Sequence, residues 1–545
     1  MIDMNVPQVE SFKILFVVQR LSDFVEMKRA AVSLKKFGYK CYILFCGVDS
    51  PPHDLIVLKE IEKSIADAEI DGVEVTNKEL LMDSGESNCT AQEKKIKTRT
   101  KSNLREILKS IKDWYKEYTT KLSQLKIKKP RALRPPITFI RRLRHYIKYL
   151  QFLVGSIIYV VVHFSLSLMY LPIFYVPVIY RFNYSQFKKI IKSGQYKLII
   201  LPEDIVGKVT PLIIKSGHSL KVPSVILPYT IANQTEAFQA LKDRDEFQVK
   251  RHFFNKVIGN LCRSWVMKDE TRRVLRLPAE HVIGHLITRS SPPDPWMMNS
   301  GYANVIAIEN EKMFEYYRNS GIPASKMKIT GACYDDNLAY YCMNKESERG
   351  QLYQELGIKS NKPFFLIGGF PNQITANPPG FDFEDAEDAV NFIVGCLDVF
   401  KKDYEIIFRP HPNFLELSDY FAKKNILVTQ IDTARLVALS DVYLAFASAT
   451  IRWAIACGVP TINYDMFYYD FSDYKEVNGV LNVCTKDEFK LAMNTISEQE
   501  QFIAIKKQLE IEKRQWGNLD GKSAYRINDL IRGLIHLKKV PRKAY

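Results

Sequence analysis

Asp441-Val-Tyr-Leu-Ala-Phe-Ala-Ser-Ala-Thr-Ile-Arg-Trp-Ala-Ile-Ala-Cys-Gly-Val-Pro-Thr-Ile-Asn-Tyr-Asp465 reads as a strand, a tight turn, a helix and a second strand. Val442-Tyr-Leu444 is a short apolar run of the kind buried in a parallel sheet. The small residues Ala447-Ser448-Ala449-Thr450 let the backbone turn close to a ligand, and Gly458-Val-Pro460 closes the helix before Thr461-Ile-Asn463. In open α/β sheets ligands sit at the carboxyl ends of strands, where this turn falls. Ser448 and Thr450 add hydroxyls to the free N–H groups of a helix start, a combination that favours phosphate or pyrophosphate. The plainer alternative is Ser448 as a helix N-cap.

The same alternation extends outward. Around the quoted unit, Phe364-Phe-Leu-Ile367, Tyr404-Glu-Ile-Ile-Phe408 and Ile426-Leu-Val428 read as strands, with helices between, including Asp385–Phe400. Upstream, strands are expected at Lys13–Gln19, Tyr42–Phe45, Lys197–Leu201, Ser224–Leu227 and Val305–Ile308, with helices at Asp23–Lys36, Ser185–Ser193, Gly207–Ser216 and Glu311–Ser320. Alternating strands and helices imply doubly wound parallel sheets. The expectation is therefore α/β: two Rossmann-like lobes over 10–330 and 335–515, followed by a C-terminal helix and tail over 516–545 that returns across the cleft.

One segment departs from the pattern. The 545-residue chain carries a net charge of +16, yet 19 Lys/Arg against four acids lie between Ala91 and Leu150, so nearly all the surplus belongs there. Tyr149 to Tyr180 follows, 32 residues without Lys, Arg, Asp or Glu. That run is longer than the roughly 20 residues of a spanning helix. A span would place the two halves of one sheet on opposite sides of a bilayer, and Pro172 and Pro177 would interrupt a continuous helix. The segment 91–182 is read as an insertion in the first lobe that dips into one leaflet, its cations meeting anionic headgroups. A helix pair buried in an oligomer is the alternative. Nucleic acid is disfavoured, because no binding signature accompanies the charge.

The nine cysteines stand singly, with no zinc spacing, which suits a reducing compartment. The start, Met1 to Lys13, lacks the apolar core of a secretion signal, so a cytoplasmic-side protein is expected.

Other strand ends supply further candidates. Arg409-Pro-His-Pro412 puts a guanidinium and an imidazole on a loop stiffened by two prolines, suited to a diphosphate or a developing oxyanion. Gly368-Gly369 would let backbone pass close to a ligand. In the first lobe Glu203 and Asp204, and Glu236 in the loop after the next strand, are acids from which a general base for an acceptor hydroxyl could come. For each, a capping or surface role is the alternative.

Thr330-Gly331…Asp336, Arg409-Pro-His-Pro412 and Ser448…Gly458-Val-Pro460 together resemble the superfamily of non-hydrolysing UDP-N-acetylglucosamine 2-epimerases. They are also similar to bacterial surface-polysaccharide transferases, including CDP-glycerol glycerophosphotransferases and capsule proteins. The resemblance implies a GT-B fold of about 400 residues with the nucleotide held mainly by the second lobe. It implies that Arg409, His411, Ser448, Ala449 and Thr450 hold the donor phosphates, with Gly368, Gly369 and Arg452 beside them. His411 and a first-lobe acid would be the catalytic groups, with no metal and no cofactor beyond the nucleotide-sugar substrate. Where the epimerases carry His-Arg-Arg-Glu-Asn this chain has Gly368-Gly-Phe-Pro-Asn-Gln373, and Arg452-Trp453 replace their adjacent carboxylates. The resemblance thus implies a transferase acting on a lipid-linked or polysaccharide acceptor at the cytoplasmic membrane face. The alternatives are an epimerase-like nucleotide-sugar enzyme and a catalytically silent, membrane-docked scaffold.

Overall fold

The computed structural model describes residues 12–46, 55–76, 172–228, 234–300, 302–370, 381–411, 414–469 and 474–536. Two parallel sheets organise the chain. The first contains β1 (Lys13–Val18), β2 (Lys40–Phe45), β3 (Glu74–Val75), β4 (Leu198–Leu201), β5 (Ser224–Ile226), β8 (Val305–Ile308) and β9 (Met327–Ile329), in the order β3-β2-β1-β4-β5-β8-β9. Between β5 and β8 a small antiparallel hairpin forms from β6 (Val266–Lys268) and β7 (Arg273–Leu275). The second sheet contains β10 (Phe364–Gly368), β11 (Glu405–Arg409), β12 (Leu427–Val428), β13 (Val442–Ala445), β14 (Thr461–Tyr464) and β15 (Val480–Val483), in the order β12-β11-β10-β13-β14-β15. This is the pair of doubly wound, Rossmann-like lobes that the alternation predicted.

The decisive pairing is β1 with β4, Ile14 opposite Leu198 and Phe16 opposite Ile200. The chain on either side of the basic and apolar segment therefore belongs to one sheet. Each sheet is covered on both faces, so its strands are apolar throughout. Side chains alternate across the pleat. Leu15 and Val17 face the core shared with the second lobe, which Phe364 and Leu366 enter from the other side. Ile14 and Phe16 face the opposite way, against the helix Leu21–Lys35. Phe365 and Ile367 meet the outer core of the second lobe.

The C-terminal helix Ser523–His536 buries Ile527 and Ile531 in the first lobe beside Ile14 and Phe16. Its seat is the Thr330-Gly331…Asp336 stretch. The Asp336 carboxylate accepts the backbone N–H groups of Ser523 (2.7 Å) and Ala524 (2.9 Å), and Arg526 donates to the Thr330 carbonyl at 2.7 Å. Gly331, at φ +79°, leaves room for the Ser523 hydroxyl, which a β-carbon would meet at 2.1 Å.

The helix expected at Ser185–Ser193 runs from Pro172 to Gly194, which corrects the reading of the two prolines. Pro172 stands at the first helical position, where a missing N–H costs nothing, whereas Pro177 lies inside the helix, which continues through it at the cost of one backbone hydrogen bond. Val176, Ile179 and Tyr180 of this helix are buried against the lobe, so the end of the uncharged run is part of the first lobe rather than of an insertion. The rest of 91–182 lies outside the described residues. Among those described, no helix is long and apolar enough to cross a membrane.

Candidate active site

In each sheet the first strand has neighbours reached by opposite crossovers, which opens a crevice at the carboxyl edge: between β1 and β4, and between β10 and β13. Arg409, the last residue of β11, lies opposite Gly368 at the end of β10. Its guanidinium is half-buried. Nη1 donates to the Pro410 carbonyl at 2.9 Å, and Nε is enclosed with no acceptor. No described carboxylate forms an ion pair with it, and burial lowers its affinity for its proton. Tyr443 and Asp432, beyond ion-pair distance, oppose this only in part, and a cation taken partly out of water is costly unless an anion completes it.

Next to it stands the buried Tyr443 of β13. Its hydroxyl bonds Thr450 Oγ1 at 2.6 Å, and Thr450 Oγ1 lies 2.8 Å from Ser448 Oγ. The Ser448 hydroxyl also accepts the Thr450 N–H at 3.3 Å, so it closes a local turn, while Thr450 occupies the cap position of the short helix Ile451–Cys457. The turn is strained: Ala447 sits at φ +47°, a region that residues with a β-carbon avoid. Asn463 holds it there by accepting the Ala447 N–H at 2.9 Å, and Asn482 accepts from the Asn463 amide at the same distance. Ser448, Ala449 and Thr450 are all half-exposed, as are Gly368, Gly369, Arg409 and His411. Burial, and then the charge of Arg409, lower the His411 pKa, which favours a neutral imidazole.

The two glycines serve the protein before any ligand. A β-carbon on Gly369 would fall 2.2 Å from the His411 backbone nitrogen, and one on Gly368 would fall 2.8 Å from the Tyr443 hydroxyl. The Gly369 N–H donates to the Arg409 carbonyl at 2.7 Å. Gly-Gly thus brings one strand end against the next, and so fixes where the Arg409 loop lies.

Three expectations are corrected. Arg452 does not line the cleft. It is 3% exposed and pairs with Glu309 of the first lobe, equally buried, at 2.8 Å. The carboxylate at the end of β8 draws the guanidinium away from a ligand. Burial pushes the Glu309 carboxyl up while Arg452 opposes this. Glu203 and Asp204 are each 1% exposed and so do not present a base to an acceptor. Arg20, at the end of β1, pairs with Glu203 at 2.5 Å and lies 3.4 Å from Asp23, so Arg20 is the group that reaches the crevice edge. Asp204 is anchored through its backbone, its N–H donating to Asn299 Oδ1 at 2.8 Å. The Tyr302 N–H stands near its carboxyl without reaching hydrogen-bond geometry, and burial beside Glu203 raises its pKa to about 7. Glu236 belongs to the helix Gln234–Gln239, its side chain outside what the structure describes.

The structure therefore brings Arg409, His411, Ser448, Ala449, Thr450 and the glycine pair to one edge, and leaves the first-lobe acids inside. Tyr443 and Asn463 were missed because each falls on an apolar strand; a polar Asn463 amid buried residues was the available signal. No cluster of three or more His, Cys, Asp or Glu able to hold a metal ion occurs among the described residues.

No protein-family profile matches the chain, and no curated protein matches it. Among solved structures it is similar to UDP-GlcNAc 2-epimerase from Neisseria meningitidis bound to UDP-GlcNAc (11% identity, TM-score 0.45, 96% of this chain and 100% of that one). A similar match is a putative UDP-N-acetylglucosamine 2-epimerase from Listeria monocytogenes (9% identity, TM-score 0.48, 98% and 100%). The wall teichoic acid polymerase TagF matches over a smaller part (16% identity, TM-score 0.35, 43% of this chain and 59% of that one).

Proposed function

We propose that the chain is a transferase that takes a sugar, or a sugar or polyol phosphate, from a nucleotide donor and passes it to a lipid-linked or polysaccharide acceptor at the cytoplasmic face of a membrane. The observation that carries this reading is Arg409: a half-buried guanidinium at the carboxyl edge of the second sheet, with no carboxylate partner among the described residues. A diphosphate would supply the missing charge, with the Ser448 and Thr450 hydroxyls and the Ala449 N–H as further donors. Positive charge held in place needs no reorganisation as the leaving phosphate gains charge. A neutral His411 on the same loop would give an N–H to that leaving oxygen. The basic and apolar segment 91–182 supports a lipid-bound acceptor, since a soluble acceptor would not require it.

Nucleotide-dependent thermal stabilisation tests the reading. CDP, UDP or CMP should raise the melting temperature of the wild type by mass action, and Arg409→Ala should abolish the rise while melting as the wild type does without ligand. No stabilisation by any nucleotide or nucleotide-sugar, together with no heat of binding, would remove the proposal. The burial of Glu203 and Asp204 favours one second reading, a silent scaffold that binds nucleotide without turnover. Release of free nucleotide from a donor in the presence of membranes separates the two.

A further inference from the structure

The nine-residue helix Phe253–Leu261 turns Asn255, Ile258 and Gly259 toward the lobe. Ile258 joins a small core with Ala279 and Val282, and the Asn255 side chain accepts the Ala279 N–H at 3.0 Å. Its outer face is apolar. Phe253 (74% exposed), Val257 (41%) and Leu261 (74%) recur at every fourth residue, and the Phe254 ring lies 5.4 Å from that of Phe253. Neighbouring helices extend it: Leu286 and Ile287 on Ala279–Thr288, and Phe174 and Val178 on Pro172–Gly194, are also exposed. Ile173 and Cys262 pack on the same small core, which sets the three helices side by side. Monomeric proteins rarely leave such a contiguous apolar surface open without a partner for it.

Charge identifies the partner. From Gln248 to Lys268 the chain carries Lys250, Arg251, Lys256, Arg263 and Lys268 and no acid, although Arg251 lies 3.5 Å from Asp245 just before it. The uncharged run Tyr149–Tyr180 continues into the helix Pro172–Gly194, whose first turn lies beside this face through Ile173. We infer that Phe253–Leu261 is an in-plane anchor that seats the first lobe on an anionic lipid surface, with Phe253, Val257 and Leu261 in the acyl boundary and the cations at the headgroups. This rests on the membrane-face reading of the function, and extends it to a surface outside the segment 91–182.

The test uses the whole chain and vesicles of phosphatidylcholine with and without phosphatidylglycerol. The wild type should float with the mixed vesicles and far less with pure phosphatidylcholine. Combined Phe253→Ser, Val257→Ser and Leu261→Ser should weaken binding at least about tenfold, as burying even one such side chain is worth a decade of affinity. Phe253→Trp should shift its emission to the blue on the mixed vesicles. Because these residues are exposed, nucleotide-induced stabilisation should be unchanged in the triple variant. Equal flotation of wild type and triple variant, or equal affinity for neutral and anionic vesicles, would overturn the inference. So would a triple variant that turns a dimer into a monomer without losing lipid affinity, which would make the face a self-interface. Vesicle binding of the expected kind without any nucleotide response would leave the anchor standing and remove the transferase reading instead.

Discussion

At the scale of single residues, the buried Arg452–Glu309 pair separates what a side chain could do from what its surroundings let it do. Arg452→Met should destabilise the protein by about 3–5 kcal/mol, because it leaves an uncompensated carboxylate inside. Arg452→Met with Glu309→Leu should recover most of that loss; denaturation midpoints for the three proteins check it. Asp204 gives a pH signature. An unfolded aspartate releases its proton near about pH 4. In the fold Asp204 keeps it to about 7. The stability it contributes is therefore complete below the lower value and fades as pH rises through the upper one. Asp204→Asn should melt with the wild type at low pH and above it on the alkaline side, as melting curves across that range would show. In sequence, Arg409 and Ser448–Thr450 were legible as cleft residues because they follow apolar runs at strand ends. Arg452 was not, since its partner lies 143 positions earlier and no local pattern announces that distance.

Among the elements, the long strands were plain in the sequence and the short edge ones were not. β1, β4, β10 and β13 are unbroken apolar runs, which only a sheet covered on both faces explains. β3 is two residues long, and β9, Met327–Ile329, exposes two of its three side chains at the sheet margin, so neither has a hydrophobic signature. The helix from Pro172 was hidden by its two prolines: Pro172 stands at the start, where the rule against proline lapses, and at Pro177, inside the helix, the burial of Val176, Ile179 and Tyr180 outweighs it. The ends of β10 and β11 yield a sharper prediction. Gly369→Ala would drive a methyl group into the His411 and Pro410 backbone, which cannot move aside as a side chain would. It should cost about 1–3 kcal/mol, as overpacking does, and should also displace the Arg409 loop. Loss of nucleotide-induced stabilisation in a variant that still folds is the expected reading.

For the whole molecule, the last helix is a structural part of the first lobe although it follows the second in sequence. Ile527 and Ile531 complete the core beside Ile14 and Phe16, so Ile527→Ala or Ile531→Ala should each cost about 2–5 kcal/mol. Limited proteolysis should then cut the first lobe before the second. The lobes meet elsewhere through Asn310, which donates to the Trp516 carbonyl at 2.7 Å, and through Arg29, 3.4 Å from Asp432. The buried Glu309–Arg452 bridge joins the lobes as well. Removing either partner of that bridge would leave a lone charge enclosed between the lobes, so the pair ties the two halves as a latch does: losing one side of it should loosen both lobes together rather than either alone.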